Sequence, residues 1–127
     1  MSRTILLIED NEQNQYLIRF LLEKSGYRVV VASDGLSGIE LAKTIAPDLV
    51  LLDIQLPGMD GYEVARTLRA IEALLATPIV AVTSYAMVGD REKALAAGCT
   101  GYIEKPINPE SFVAELESYG AHHWEKP

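Results

Sequence analysis

The sequence predicts an α/β domain in which helices cover both faces of a doubly wound parallel sheet. Two observations favour this class: short, wholly apolar segments recur along the chain, and helix-like stretches separate them. Four-residue apolar segments that end in polar residues are typical of parallel strands buried on both faces. Strands that alternate with helices through short connections indicate a parallel sheet rather than an antiparallel one.

The chain has 127 residues, the size of one domain, and its composition is 49% hydrophobic and 23% charged. Its net charge of -7 argues against nucleic acids and anionic membranes as partners, because both bind basic surfaces. We expect residues 1–120 to form the domain and residues 121–127 to form a C-terminal tail.

The single cysteine, Cys99, excludes an intrachain disulfide and a zinc site built from cysteines. No apolar segment approaches the roughly 20 residues that a membrane span requires. No signal-peptide hydrophobic segment follows Met1. We therefore expect a cytoplasmic protein that does not contact the membrane.

Five strands and five helices are expected in alternation. The strands are residues 5–8, 29–32, 49–52, 79–82 and, more weakly, 101–103. The helices are residues 11–24, 36–46, 60–74, 87–97 and 109–119. Glycines at positions 26 and 98 favour helix ends, and Asn108 with Pro109 fits the start of the last helix.

Apolar residues recur at helical spacing in the expected helices, as the first and the third of them show. In the first helix, Leu17, Phe20 and Leu21 recur at that spacing. In the third helix, the recurring residues are Val64, Leu68, Ile71 and Leu75.

Polar side chains stand where the strands end. Glu9 and Asp10 follow the first strand, Asp53 the third and Thr83 the fourth, and Lys105 comes shortly after the fifth. Parallel strands place their carboxyl ends at one edge of the sheet, which is also where ligands bind in such folds. Three carboxylates, a hydroxyl and an ammonium group should therefore meet at one crevice.

Carboxylates held together repel one another and need a cation. Carboxylate oxygens are hard ligands that suit Mg²⁺, or alternatively Mn²⁺. Lys105 supplies a positive charge for an anion, and Thr83 can donate one hydrogen bond. Since a carboxylate can attack phosphorus and form an aspartyl phosphate, Asp53 is the candidate nucleophile of a phosphoryl-transfer site.

Four motifs together resemble the response-regulator receiver domain, the CheY-like family of two-component signalling. They are LIEDN at residues 7–11, LLDIQLPGMDG at 51–61, VTS at 82–84 and KP at 105–106. The resemblance covers residues 4–119. It implies a flavodoxin-like fold with strand order 2-1-3-4-5 and five helices.

The resemblance implies a role for each residue of the expected site. Asp53 would be the phosphoacceptor, and Lys105 would pair with the phosphoryl group. Glu9 and Asp10 would hold Mg²⁺ together with Asp53 and the backbone carbonyl of Gln55. Glu9 stands where the family more often has aspartate.

Further implied roles concern switching and the lifetime of the phosphate. Thr83 would bind a phosphoryl oxygen and Tyr102 would turn inward. Gln55 and Tyr85 would control the access of water. The Lys105–Pro106 bond would be cis.

The implied partners are a histidine kinase or histidine phosphotransfer protein as phosphodonor, and a downstream protein target. The protein would catalyse only its own phosphorylation and dephosphorylation, as a monomer or weak dimer. The first helix would dock the donor through Asn11, Asn14, Gln15 and Ile18. The face that binds the target would include Met87, Val88, Lys93, Tyr102, Glu104 and Ser111.

Several alternatives remain open or are disfavoured. Three further segments resemble stand-alone receivers of the DivK type, and also receivers attached to hybrid histidine kinases: residues 10–14, 86–90 and 97–102. A start at Met1, close to the first strand, favours the stand-alone receiver. A pseudo-receiver that acts without phosphorylation would usually lack one of the key residues, and none is missing. A phosphatase with an aspartate nucleophile would need a carboxylate at Gln55. A flavin carrier would not place acidic residues after the first strand.

Overall fold

Five parallel strands form the centre of the molecule. The computed structural model describes residues 3–84 and 89–120. In spatial order the strands run β2-β1-β3-β4-β5, all parallel, which confirms the expected doubly wound sheet and its order. Their bounds are Thr4–Ile8 (β1), Arg28–Ala32 (β2), Leu49–Asp53 (β3), Ile79–Thr83 (β4) and Gly101–Glu104 (β5).

In the described part of the chain, four helices and one short 3₁₀ turn connect the strands, and a fifth helix follows the last strand. They are Glu12–Lys24 (α1), Gly35–Ile45 (α2), Gly61–Arg69 (α3), Glu72–Leu74 (the 3₁₀ turn), Asp90–Ala96 (α4) and Phe112–Gly120 (α5). Residues 85–88, which include the expected start of α4 at Met87, lie outside the described part of the chain, as does the expected tail at residues 121–127. Among the described residues, no helix has the length and apolar character needed to cross a membrane.

The sheet separates two hydrophobic clusters. Along β1, Leu6 and Ile8 face the cluster that contains residues of α2, α3 and α4, while Ile5 and Leu7 face the cluster of α1 and α5. Alternate side chains of a strand point to opposite faces, so a strand covered on both sides must be apolar throughout. This explains why the central strands read as continuous apolar segments.

The helix α1 buries only part of the face that the spacing indicated, because Leu21 packs against the core but Phe20 does not. Ile18 and Leu22 are fully buried, whereas Phe20 is 51% exposed and stacks on Tyr16 with ring centroids 6.4 Å apart. The expected docking role of Ile18 is therefore wrong, because its side chain lies in the core beneath α1. The face with Phe20 and the face with Ile18 and Leu22 are both apolar and differ by a small rotation of the helix. The spacing of apolar residues therefore did not show which of them is buried.

The helix α3 is shorter than expected, because the chain turns at Ile71. Its backbone there is extended (φ -75°, ψ 122°), and a 3₁₀ turn follows. Leu75, expected on the buried face of a longer helix, is 60% exposed. Val64 and Leu68, nearer the start of the helix, are buried as expected.

The last helix also begins later than expected. Residues 109–111 form a turn before α5 starts at Phe112. Asn108 caps this turn: its side-chain oxygen accepts a hydrogen bond from the Glu110 N–H at 3.0 Å. Its carbonyl oxygen accepts one from the Phe112 N–H at 2.9 Å. The expected capping residue is thus correct, but it caps the turn that leads into the helix.

A close backbone approach fixes the loop that follows β3. A Cβ atom at Gly61 would lie 2.4 Å from the Cα of Ile54, so only glycine allows α3 to start against the end of β3. The Asp60 side chain caps this helix start by accepting from the Tyr62 N–H at 3.0 Å. The loop between β3 and α3 is therefore held at both ends, beside Asp53.

Candidate functional site

The expected polar residues meet at the carboxyl edge of the sheet. Asp53 is the last residue of β3 and Thr83 the last of β4, and both side chains are buried. Glu9 follows β1 and is 1% exposed. Asp10 is exposed at the rim, and Lys105 follows β5.

Lys105 joins two of the buried carboxylates. Its Nζ lies 3.2 Å from Oε1 of Glu9 and 3.2 Å from Oδ2 of Asp53. Moving a charged side chain out of water costs free energy, and a set of buried charges is tolerated only when each charge is paired with an opposite one. The lysine therefore allows two acidic side chains to stay close together at nearly complete burial.

The acidic cluster keeps an excess of negative charge despite Lys105. Glu9, Asp10 and Asp53 each offer an oxygen, and these oxygens lie within 4.8 Å of one another. Three carboxylates and one ammonium leave a formal charge of about -2, which is the charge a divalent cation neutralises. Burial, and next the negative charge of Asp53, raise the pKa of Glu9, although the Asn11 N–H and Lys105 oppose this. The donor set fits a hard cation such as Mg²⁺.

The loop after β1 is fixed by the first turn of α1. Asn11 N–H donates to Oε2 of Glu9 at 3.1 Å, and the Asn11 side chain accepts from the Asn14 N–H at 2.9 Å. The side-chain amide of Gln15 donates to the backbone carbonyl of Glu9 and, at 3.3 Å, to Oγ of Ser33. Gln15 was expected at a docking surface, and the structure adds this contact beneath the acidic pair, which spacing alone did not reveal.

Gln55 contacts the site through its backbone and its side chain. Its N–H donates to Oδ1 of Asp53 at 2.9 Å. Its side-chain oxygen accepts from the N–H and the hydroxyl of Ser84, at 3.0 and 2.9 Å. Sequence reasoning noted Ser84 only as part of the VTS motif, and no pattern in the chain indicates this contact.

Tyr102 already faces the interior. Its side chain is 9% exposed and belongs to the cluster on the α4 side of the sheet, and its carbonyl accepts from the Tyr119 hydroxyl at 3.1 Å. The Lys105–Pro106 bond is cis, as expected.

The remaining residues of the expected site are placed in part. On the expected target face, Lys93, Glu104 and Ser111 are exposed. Tyr85, expected to affect the lifetime of the phosphate, and the face residues Met87 and Val88 lie outside the described residues.

Comparisons with known proteins agree with this arrangement. The model of the response regulator receiver domain family matches residues 5–117. A relative from Brucella ovis, the polar-differentiation response regulator DivK, is 43% identical over 119 residues, covering 94% of this chain and 97% of its own.

Two solved structures are similar in fold. The chemotaxis response regulator CheY4 of Vibrio cholerae has a TM-score of 0.89 and 26% identity, with 94% of this chain and 99% of that chain covered. The receiver domain of a sensor histidine kinase from Pseudomonas aeruginosa, with magnesium coordinated in its active-site cleft, has a TM-score of 0.87 and 37% identity over 95% of this chain and 99% of that one. The chain belongs to the response regulator receiver domain family of two-component signalling.

Proposed function

We propose that this chain is a single-domain response regulator that accepts a phosphoryl group on Asp53 in the presence of Mg²⁺. The donor is a histidine kinase or a histidine phosphotransfer protein. The observation that carries the proposal is the setting of Asp53, a buried carboxylate at a strand end. It is held between the Gln55 N–H and Lys105 and lies next to two further carboxylates.

The transfer needs little covalent chemistry from the protein. A carboxylate oxygen of Asp53 attacks phosphorus, the P–N bond of the donor phosphohistidine breaks, and its electron pair remains on the imidazole. Lys105 contacts Oδ2 of Asp53 and offsets negative charge as the phosphoryl group arrives. Glu9, Asp10, Asp53 and the Gln55 carbonyl would hold Mg²⁺, which supplies positive charge to the carboxylates and phosphoryl oxygens.

Phosphorylation then acts as a switch on a protein surface. Thr83 binds a phosphoryl oxygen, and Tyr102 takes its inward position when Thr83 moves. The face formed by α4, β5 and α5 then changes its affinity for a downstream target. Gln55 and Tyr85 set the lifetime of the phosphate through water access. The magnesium-bound receiver from Pseudomonas aeruginosa supports Mg²⁺ as the metal.

A receiver cut from a hybrid histidine kinase is the second candidate, favoured by the 37% identity to the receiver of a sensor kinase. Its chemistry at Asp53 would be the same. In either case the protein modifies itself and is not an enzyme that acts on other substrates. The cytoplasm is the proposed location, because a free, buried cysteine suits a reducing compartment.

The test is phosphorylation by acetyl phosphate, with and without Mg²⁺, followed by intact mass. We expect one phosphoryl adduct that requires Mg²⁺ and is absent in Asp53→Asn. The matched control is Asp60→Asn, which changes an exposed aspartate seven positions further on, in the loop after β3, and keeps a capping side chain. Absence of an adduct in the unchanged protein, or its persistence in Asp53→Asn, would contradict the proposal.

A further inference from the structure

The side chain of Gln55 connects two loops at the edge of the site. Its amide oxygen accepts both the N–H and the hydroxyl of Ser84, at 3.0 and 2.9 Å. Gln55 lies in the loop after β3, and Ser84 is the first residue after β4. Two donors from one residue therefore converge on one oxygen of the neighbouring loop.

The backbone of Gln55 acts on the phosphoacceptor. Its N–H donates to Oδ1 of Asp53 at 2.9 Å, while Lys105 contacts Oδ2 at 3.2 Å. Because each carboxylate oxygen has its own donor, the plane of the Asp53 carboxylate is fixed by both. A rotation of Gln55 would withdraw one of these donors and would turn its carbonyl as well.

We propose that Ser84 is a positioning residue for this site. It anchors the Gln55 side chain, and through Gln55 it fixes the Asp53 carboxylate and the carbonyl that would face the metal. The effect on Mg²⁺ binding rests on the proposed function, whereas the effect on the Gln55 backbone does not. Because Ser84 directly follows Thr83, we expect a displacement of the end of β4 to change the affinity of the site for Mg²⁺. By thermodynamic linkage, Mg²⁺ binding would then favour one position of this strand end by the same free energy.

The experiment compares Ser84→Ala, Ser84→Thr, Gln55→Met and the double variant Ser84→Ala/Gln55→Met in the full chain. One readout, without metal, is the chemical shift and hydrogen exchange of the backbone amide at position 55. The other is Mg²⁺ affinity by calorimetry. The control is Ser118→Ala, which removes a hydroxyl that donates to Glu115 on α5, away from the site.

We expect Ser84→Ala to expose the amide at position 55 to exchange and to weaken Mg²⁺ binding about threefold, the scale of one net hydrogen bond. Ser84→Thr, which keeps the hydroxyl, should restore both readouts. In the Gln55→Met background, Ser84→Ala should add nothing, because the shared acceptor is already gone.

Unchanged readouts in Ser84→Ala, or fully additive losses in the double variant, would overturn the inference. The proposed function fails in a different way, if the unchanged protein neither binds Mg²⁺ nor accepts a phosphoryl group. In that case the metal-free amide signal still decides whether Ser84 positions Gln55.

Discussion

Lys105 shows how one residue makes an acidic site compatible with folding. Its ammonium group lies 3.2 Å from Glu9 and from Asp53, whose side chains are 1% and 4% exposed. Without that charge two carboxylates would be buried side by side, an arrangement that proteins avoid. The same contact places a cation at the nucleophile, so the structural and the proposed chemical roles of the lysine coincide.

Cys99 is a buried thiol whose titration should be visible in stability. Burial raises the pKa of Cys99 to about 11, while nearby Arg69 lowers it. An unfolded thiol titrates near pH 8.5, so the folded state binds this proton more tightly. The resulting stabilisation is complete below that pH and is lost as the pH rises towards 11.

We therefore expect slow alkylation of native Cys99 by iodoacetamide at pH 8.5 and rapid alkylation in urea, followed by intact mass. The urea midpoint should fall between pH 8 and pH 10 by more in this protein than in Cys99→Ala. Equal alkylation rates in the native and unfolded protein would contradict the burial of this thiol.

Much of the site at this scale was predictable, because strand-end residues follow from the βα alternation. Glu9, Asp10, Asp53, Thr83 and Lys105 were found in this way. Gln15 beneath Glu9 and Ser84 beside Gln55 were not, because a hydrogen bond between two loops depends on side-chain geometry that has no sequence period.

At the scale of elements, Arg69 joins three segments at the end of α3. Its Nη1 donates to the carbonyls of Leu74 and Thr77, each at 2.8 Å, and to that of Leu75 at 3.2 Å. Its Nε and Nη2 donate to the carbonyl of Gly98, at 3.0 and 2.8 Å. The guanidinium thus satisfies carbonyls of the turn before β4 and of the turn between α4 and β5.

Arg69→Met should lower the free energy of unfolding by roughly 2–4 kcal/mol, because several partly buried carbonyls lose their donor. Arg69→Lys should recover only part of this, since an ammonium cannot reproduce the planar fork. Urea unfolding measures both, with Arg66→Met on an exposed part of the same helix as the control. A similar stability for Arg69→Met and Arg66→Met would show that these contacts add nothing.

Elements were predicted better in number than in detail. All five strands fell within one residue of their observed bounds, because a strand buried on both faces has an apolar sequence that few other structures require. The end of α3 was missed since Ile71 and Leu75 continue the helical spacing past the point where the chain turns. The buried face of α1 was predicted only in part, because Phe20 is as apolar as Ile18 and Leu22 but lies on the exposed side of the helix.

At the scale of the whole molecule, the net charge of -7 and the acidic edge act together. A cation that binds the folded state alone stabilises it by mass action, by about 2.7 kcal/mol at a concentration one hundred times its dissociation constant. We expect Mg²⁺ to raise the thermal midpoint and a chelator to reverse the effect.

Asp10→Asn should abolish most of this increase while leaving the metal-free protein folded, because Asp10 is exposed. Asp60→Asn, an exposed aspartate outside the cluster, should keep it. Differential scanning fluorimetry at constant ionic strength gives the comparison. An equal response of both variants would indicate general screening of negative charge rather than a site.

The direction of the chain has a practical consequence for tethering. All strands run towards the edge that carries Asp53, so β1 starts at the opposite edge. The helix α5 returns to that same opposite edge, where Tyr119 packs against Gly101 at the start of β5. A linker to a surface, or a fused domain, attached before Thr4 or after Gly120 would therefore be joined to the edge opposite Asp53. The edge with Glu9, Asp10 and Asp53 would stay accessible to a protein that binds there.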